Sequence, residues 1–169
     1  MQVLPLRVAG ADPPAGEMFL HLVTAGAGKA KGEARTTGYE DDIQVLGWRW
    51  GASAPTAMGG KVDTARRAYR QLVLVKAIDA ASVVLLTALR DNDEVSEAAL
   101  ALRKRGGASD PYFKLVLKGA RVAAIDYSVG EDGLTHEELT LTFAKIQVEY
   151  HAQGSDGELG PALVFDDVV

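Results

Sequence analysis

The stretch YRQLVLVKAIDAASVVLLTALR, Tyr69 to Arg90, sets two periodicities side by side. From Tyr69 to Ala77 the residues alternate. Tyr69, Gln71, Val73 and Val75 fall on one side, and Arg70, Leu72, Leu74 and Lys76 on the other. A period of two is the pattern of a strand, and apolar residues on both faces mean that both are partly covered. The period then changes. Ser82, Leu85, Leu86 and Leu89 recur at helical spacing. Asp79 stands where a carboxylate can accept the free amides of a first helical turn, which makes it the expected N-cap. Arg90 ends the run, where the helix dipole favours a cation. The segment therefore predicts one strand that feeds one helix.

Outward from there the chain reads as strands and turns. MFLHLVTA (Met18–Ala25) and the stretch from Ile43 to Ala52 precede it. AALALRKR (Ala98–Arg105), PYFKLVLKG (Pro111–Gly119) and ARVAAIDYSV (Ala120–Val129) follow. In EELTLTFAKIQVEYH, Leu139, Leu141 and Phe143 share one register, while Ile146, Val148 and Tyr150 share the other. A bulge near Ala144 and Lys145, or a strand that leaves one sheet for another, accounts for the flip. ALVFDDVV closes the chain as a short strand. Seven or eight strands around one inserted helix predict a mainly β fold, either a barrel or two packed sheets with the helix outside. The turn-rich ADPPAG (Ala11–Gly16) separates an N-terminal extension, residues 1–17, from a single domain, residues 18–169.

Composition narrows the function. The 169 residues are 47% hydrophobic, enough for one domain with a core. Eighteen Lys and Arg against 23 Asp and Glu give a net charge of −5, against the basic excess of a nucleic-acid binder. With no cysteine, a disulfide framework, a thiol nucleophile and thiolate metal ligation are excluded. No run reaches the roughly 18 apolar residues of a membrane-spanning helix. Pro5 and Arg7 interrupt the N-terminal apolar residues, so no secretory signal is expected.

No motif assembles an active site. GAGKAKG (Gly26–Gly32) has Val23 where a phosphate loop needs its first glycine and Ala30 where it needs the magnesium-binding hydroxyl, so it reads as a solvated glycine loop. Asp91, Asp93, Glu94 and Glu97 lack the spacing of a calcium loop and read as a solvated turn. His21, His136 and His151 have no ligand spacing, and no GxSxG elbow exists. Arg103, Lys104, Arg105, Lys114 and Lys118 could form a basic patch on neighbouring strands, read as solvated faces or the rim of a subunit interface. No metal or cofactor is expected, and a structural, binding or assembly role is favoured over catalysis.

The motif VLGWRWG (Val45–Gly51) would put Trp48 and Trp50 on one strand face and Arg49 on the other. Together with MFLHL, KGEA (Lys31–Ala34), GGKV (Gly59–Val62), LVLVKAIDAASVVLLTAL, LALRKRGG, YFKLVLKGARV and EELTLTFAKIQVEY, taken in order, it resembles the Hcp (haemolysin-coregulated protein) family of bacterial type VI secretion. These blocks cover most of residues 18–150. The resemblance implies two β-sheets closed into a barrel with one flanking helix. It implies six-membered rings with a wide channel, stacked into a tube within a contractile sheath and beneath a VgrG-type spike. The tube would leave the cytoplasm on firing, carrying small effector proteins, and would catalyse nothing. No nucleic acid and no membrane insertion are implied. The alternatives are the tube of a phage tail or extracellular contractile particle, and a monomeric β-barrel binding module or hydrolase.

The resemblance also assigns residues. Trp48 and Trp50 would pack into the barrel, and Arg49 would face the lumen or pair with a neighbouring Asp or Glu. The loop Ala52, Ser53, Ala54, Pro55, Thr56, Ala57, Met58, Gly59 and Gly60 would reach a neighbouring subunit or ring. Arg49, where the family often has a small polar residue, and the short, glycine-poor form of this loop are departures.

Overall fold

The computed structural model describes residues 16–54, 67–104 and 110–169. Met1–Ala15 of the N-terminal extension and Pro55–Gly60 of the expected inter-ring loop lie outside them. The elements, in chain order, are β1 (Gly16–Thr24), β2 (Gly28–Lys29), β3 (Ile43–Val45), β4 (Gly47–Arg49), β5 (Ala52–Ser53), β6 (Ala68–Tyr69) and β7 (Leu72–Ala77). Then come α1 (Ala81–Asp91), β8 (Glu94–Lys104), β9 (Phe113–Lys118), β10 (Ala120–Val129), β11 (Thr135–Thr142), β12 (Lys145–Gln153) and β13 (Leu159–Val168).

Eleven strands form one antiparallel sheet with the path β13-β12-β9-β8-β10-β11-β7-β4. From β8 it branches to β1, which also pairs with β2 and β3. β5 and β6 form a separate two-stranded ribbon. Among the described residues the fold is mainly β with one helix, but the sheets are not closed into a barrel. The path ends at β13 on one side and at β4 on the other, and these strands do not pair. The reason lies at Leu46. Closure would need one continuous strand shared by β1 and β7. Instead β3 pairs only with β1 and β4 only with β7, and the chain changes partner at Leu46, whose N–H donates to the Val75 carbonyl (2.7 Å).

β8 is the hub. Val95 to Lys104 pair with β1, with a bulge near Val95; Ala98 to Leu102 pair with β9, and Glu94 and Val95 pair with β10. Leu20, Leu100 and Leu115 stand in one cross-strand row in the core, all at most 1% exposed. On the other face β8 carries Ala99 and Ala101, small enough for Tyr39 to fold over the sheet and stack on Phe19 (centroids 4.5 Å). The register flip near Ala144 separates two strands with different neighbours: β11 joins β10 and β7, and β12 joins β9 and β13.

α1 begins one residue later than the capping expectation. Ala80 is the cap position, and Asp79 acts from the residue before it. The Asp79 carboxylate accepts the Ala81 N–H (3.0 Å), and the Asp79 N–H donates to Ser82 Oγ (3.1 Å). The inward face is Ala81, Ser82, Leu85 and Ala88, so Leu86 points outward, 42% exposed. Asn92 ends the helix at φ +50°, a left-handed conformation that Asn tolerates better than most residues.

Candidate functional site

β4 places the WRW motif at one end of the sheet path. Arg49 sits opposite Val73 on β7, on the face that also carries Val75 and, from β11, Glu138. Arg49 Nη2 lies 3.2 Å from Glu138 Oε1, each side chain about one-third exposed. The pair lies over Val73 and Val75, which are buried. An exposed pair of this kind contributes about 0–1 kcal/mol; its larger effect is to cancel the arginine's charge locally. Trp48 and Trp50 are partly buried against the core. Trp48 stacks on Phe113 (5.7 Å), and Trp50 lies nearly parallel to Tyr69 (6.1 Å, 8°).

Tyr69 extends the cluster. In the β5–β6 ribbon, Ala52 pairs with Tyr69 and Ser53 with Ala68. The Tyr69 hydroxyl donates to Asp167 on β13, and Arg67 Nε lies 2.9 Å from the same carboxylate. The Tyr69 hydrogen bond, first among several causes, holds the Asp167 carboxyl below its usual range, and the same bond raises the tyrosine. Trp50, Tyr69, Asp167 and Arg67 thus tie the motif strand to the root of the loop and to the C-terminal strand.

A second cluster is buried where α1 meets the sheet. Lys76 is 1% exposed and Glu137, directly opposite it, 0%. Lys76 Nζ contacts Asp79 Oδ1 (2.7 Å), Glu137 Oε1 (3.1 Å) and Ser82 Oγ (3.0 Å). A buried ammonium needs such partners, because leaving water without them is prohibitive. Tyr127, opposite Glu137 on β10, is pushed up to about 12 by burial and then by the Glu137 carboxylate.

Several other candidates from the sequence have structural partners. Lys29 of the glycine loop binds Asp42 (2.7 Å), which also contacts His21 Nδ1 (3.0 Å). Asp93 accepts the Gly26 N–H, and Asp91 pairs with Arg90. His136 meets Asp132, and His151 meets Glu149 and the Gly160 carbonyl. Arg103 leaves the basic patch for Glu17 (3.1 Å) and the Tyr39 ring. Arg105 lies outside the described residues. An open groove of about 360 Å³ runs between the Phe19–Ala101 face and Tyr39, with Asp42 and Lys114 on its walls. Among the described residues no three His, Asp or Glu side chains converge as a metal site, and no helix is long and apolar enough to cross a membrane.

This geometry is one of packing and ion pairing. The model of the family described as "Type VI secretion system effector, Hcp" matches residues 19–150. The chain belongs to the Hcp family. Protein hcp1 of Pseudomonas aeruginosa is 34% identical over 146 residues, spanning 83% of this chain and 86% of that protein. Among solved structures, one titled as a type six secretion system protein superposes with a TM-score of 0.79 at 21% identity, covering 88% of this chain and 92% of that one. Hcp1 from Salmonella typhimurium superposes with a TM-score of 0.72 at 23% identity, covering 91% and 95%. At those identities the likeness is one of fold. The Hcp match runs from Phe19 in β1 to Tyr150 in β12 and contains the WRW strand and the Lys76 cluster. Asp167 and the rest of β13 follow it. Sequence reasoning missed Glu138, Glu137 and Asp167 as partners. Glu138 and Glu137 could have been proposed only by aligning β11 with β7, and nothing near Tyr69 in sequence points to a residue 98 positions away.

Proposed function

We propose that this Hcp protein is the tube subunit of a type VI secretion apparatus. Six copies meet head to tail as an open ring, rings stack within a contractile sheath under a VgrG-type spike, and small effector proteins ride in the channel. The protein is cytoplasmic until firing and then leaves through the apparatus. Its role is structural, as the family's is. The observation that carries this reading is the family match across residues 19–150, supported by the 34% identity to Protein hcp1 over most of both chains. Head-to-tail rings require two unlike patches per subunit, and this chain exposes apolar residues in two separate places, Tyr127, Val129 and Leu134 in one and Tyr150, Leu163 and Phe165 in the other.

In this reading Arg49 faces the channel together with Glu138, so the wall carries paired charges instead of a bare ring of cations. Trp48 and Trp50 anchor that strand to the core, and the loop rooted at Ala52 and Ser53 reaches the next subunit or ring. The test is solution mass by light scattering, with the same fractions imaged by negative stain. An open ring near six times 17.9 kDa is expected. A strict monomer at high concentration, both for the whole chain and for a truncation beginning at Met18, refutes it.

A further inference from the structure

β4, β7, β11 and β10 lie side by side in that order. The face that carries Arg49 is turned away from α1, which meets the opposite face, where Lys76 binds Asp79, Ser82 and Glu137. Register sets the Arg49 face in rows. Val75, Glu138 and Asp126 stand in one, and Arg49, Val73 and Thr140 in the next. Val73, Val75 and Thr140 are a buried floor. The charged groups above it are one cation and two carboxylates.

The cation is already taken. Arg49 Nη2 lies 3.2 Å from Glu138 Oε1. Asp126 is exposed, and among the described residues no hydrogen-bond donor or cation is bound to its carboxylate. It stands directly opposite Glu138. Like charges directly opposite across a strand pair are destabilising, and the single arginine offsets only one of the two. The neighbours of Asp126 on the same face of β10, Ala124 and Ser128, bring no charge. His136, opposite Ser128, is held by Asp132 (3.0 Å) and adds no excess cation. A charge that works against the sheet and binds nothing within it breaks a local rule, and such breaks concentrate where a protein meets its ligand.

We propose that Asp126 sets the charge selectivity of the channel wall: with Arg49 neutralised by Glu138, the wall is acidic and retains proteins with lysine- or arginine-rich surfaces. This deepens the channel reading and rests on it. Arg49 alone would select acidic cargo, and the structure reverses the sign. Repeated around a ring, the Asp126 carboxylates face one enclosed space, where charges of one sign reinforce each other's field. The attraction is between exposed groups and is screened by salt, which suits a cargo that must be let go.

The test uses rings of the full chain, checked by negative stain, and fluorescein-labelled decalysine and decaglutamate followed by anisotropy at low salt. Asp126→Asn is compared with Glu131→Gln, which removes the same charge from an exposed hairpin turn. Asp126→Asn should weaken decalysine by about tenfold, the size of a few lost surface ion pairs, and Glu131→Gln by less than about twofold. Asp126→Asn with Glu138→Gln bares Arg49 and should bind decaglutamate in its place. Rings that do not bind decalysine, equal losses from Asp126→Asn and Glu131→Gln, or a double variant that gains no decaglutamate overturn the selectivity and leave the ring reading intact. Absence of rings from the unsubstituted protein overturns both.

Discussion

Replacing Lys76 by methionine keeps most of the length of the buried side chain and removes its charge. The structure sets the size of the effect. Nζ is the cation between two carboxylates, Glu137 at 3.1 Å and Asp79 at 2.7 Å, and Glu137 has no exposure to water. Without Nζ the interior holds a carboxylate with no counter-charge, faced by a second one at the start of α1. Breaking a buried pair from one side typically costs about 3–5 kcal/mol. Against a total stability of about 5–15 kcal/mol for a domain, that is a large fraction. Urea unfolding should show a midpoint shifted down with an unchanged slope. Lys76→Met with Glu137→Leu removes both charges and should recover much of the loss, because a hydrophobic replacement of a whole buried pair is often neutral. A single-mutant cost below about 1 kcal/mol, or a double mutant no better than the single, would show that Glu137 and Asp79 do not depend on Nζ for their counter-charge.

Other predictions concern narrower features. Tyr127 is raised to about 12 when folded against an ordinary value near 10; its contribution is present below pH 10 and lost as pH rises toward 12, so alkaline unfolding should move to higher pH in Tyr127→Phe. His151 is also raised, first by the Gly160 carbonyl and then by Glu149. The protonated ring tightens the β12–β13 hairpin at low pH and releases it as pH rises through the folded value. After correction for intrinsic rates, hydrogen exchange of β13 amides should accelerate over that range, and His151→Gln should abolish the dependence. Gly32→Ala would place a Cβ 2.4 Å from the Asp42 carbonyl oxygen, and backbone cannot yield cheaply, so a loss of about 1–3 kcal/mol is expected in thermal unfolding. Glu138→Gln leaves Arg49 without its counter-charge; rings should persist, while the cargo that co-purifies should shift toward acidic proteins, and an unchanged cargo profile counts against Arg49 facing the channel.

The strands and the helix were legible because they follow from period alone. The alternation from Tyr69 to Ala77 and the helical recurrence around Leu85 mark their elements whatever surrounds them. The register flip at Ala144 was legible for the same reason, and β11 and β12 do part there. Closure of the sheet was not. Whether β3 and β4 act as one strand depends on which neighbour each residue meets, and Leu46 changes neighbours without any sign in its own identity. The depth of Lys76 was not legible: alternation puts it on the face of Leu72 and Leu74, but nothing in its identity says that it is among the most buried side chains. Its partners lie three residues away at Asp79 and on another strand at Glu137, and only the first could be read locally. Arg49 was placed by alternation, and its partner Glu138 by the β7–β11 register, which no single segment contains.

The position of β8 between β1 and β9 has a consequence for synthesis. β1 is the first strand of the sheet to emerge, carrying Phe19, Leu20 and Leu22, and its main partner lies much later in the chain. At a ribosomal pace of about 5–20 residues per second, the roughly eighty intervening residues keep those side chains waiting for about 4–16 seconds. During that interval its partners among the described residues are the short β2 and β3. The nascent chain therefore passes through a sticky stage, and holding factors at the ribosome exit, more than final stability, would set how much of it reaches the folded pool.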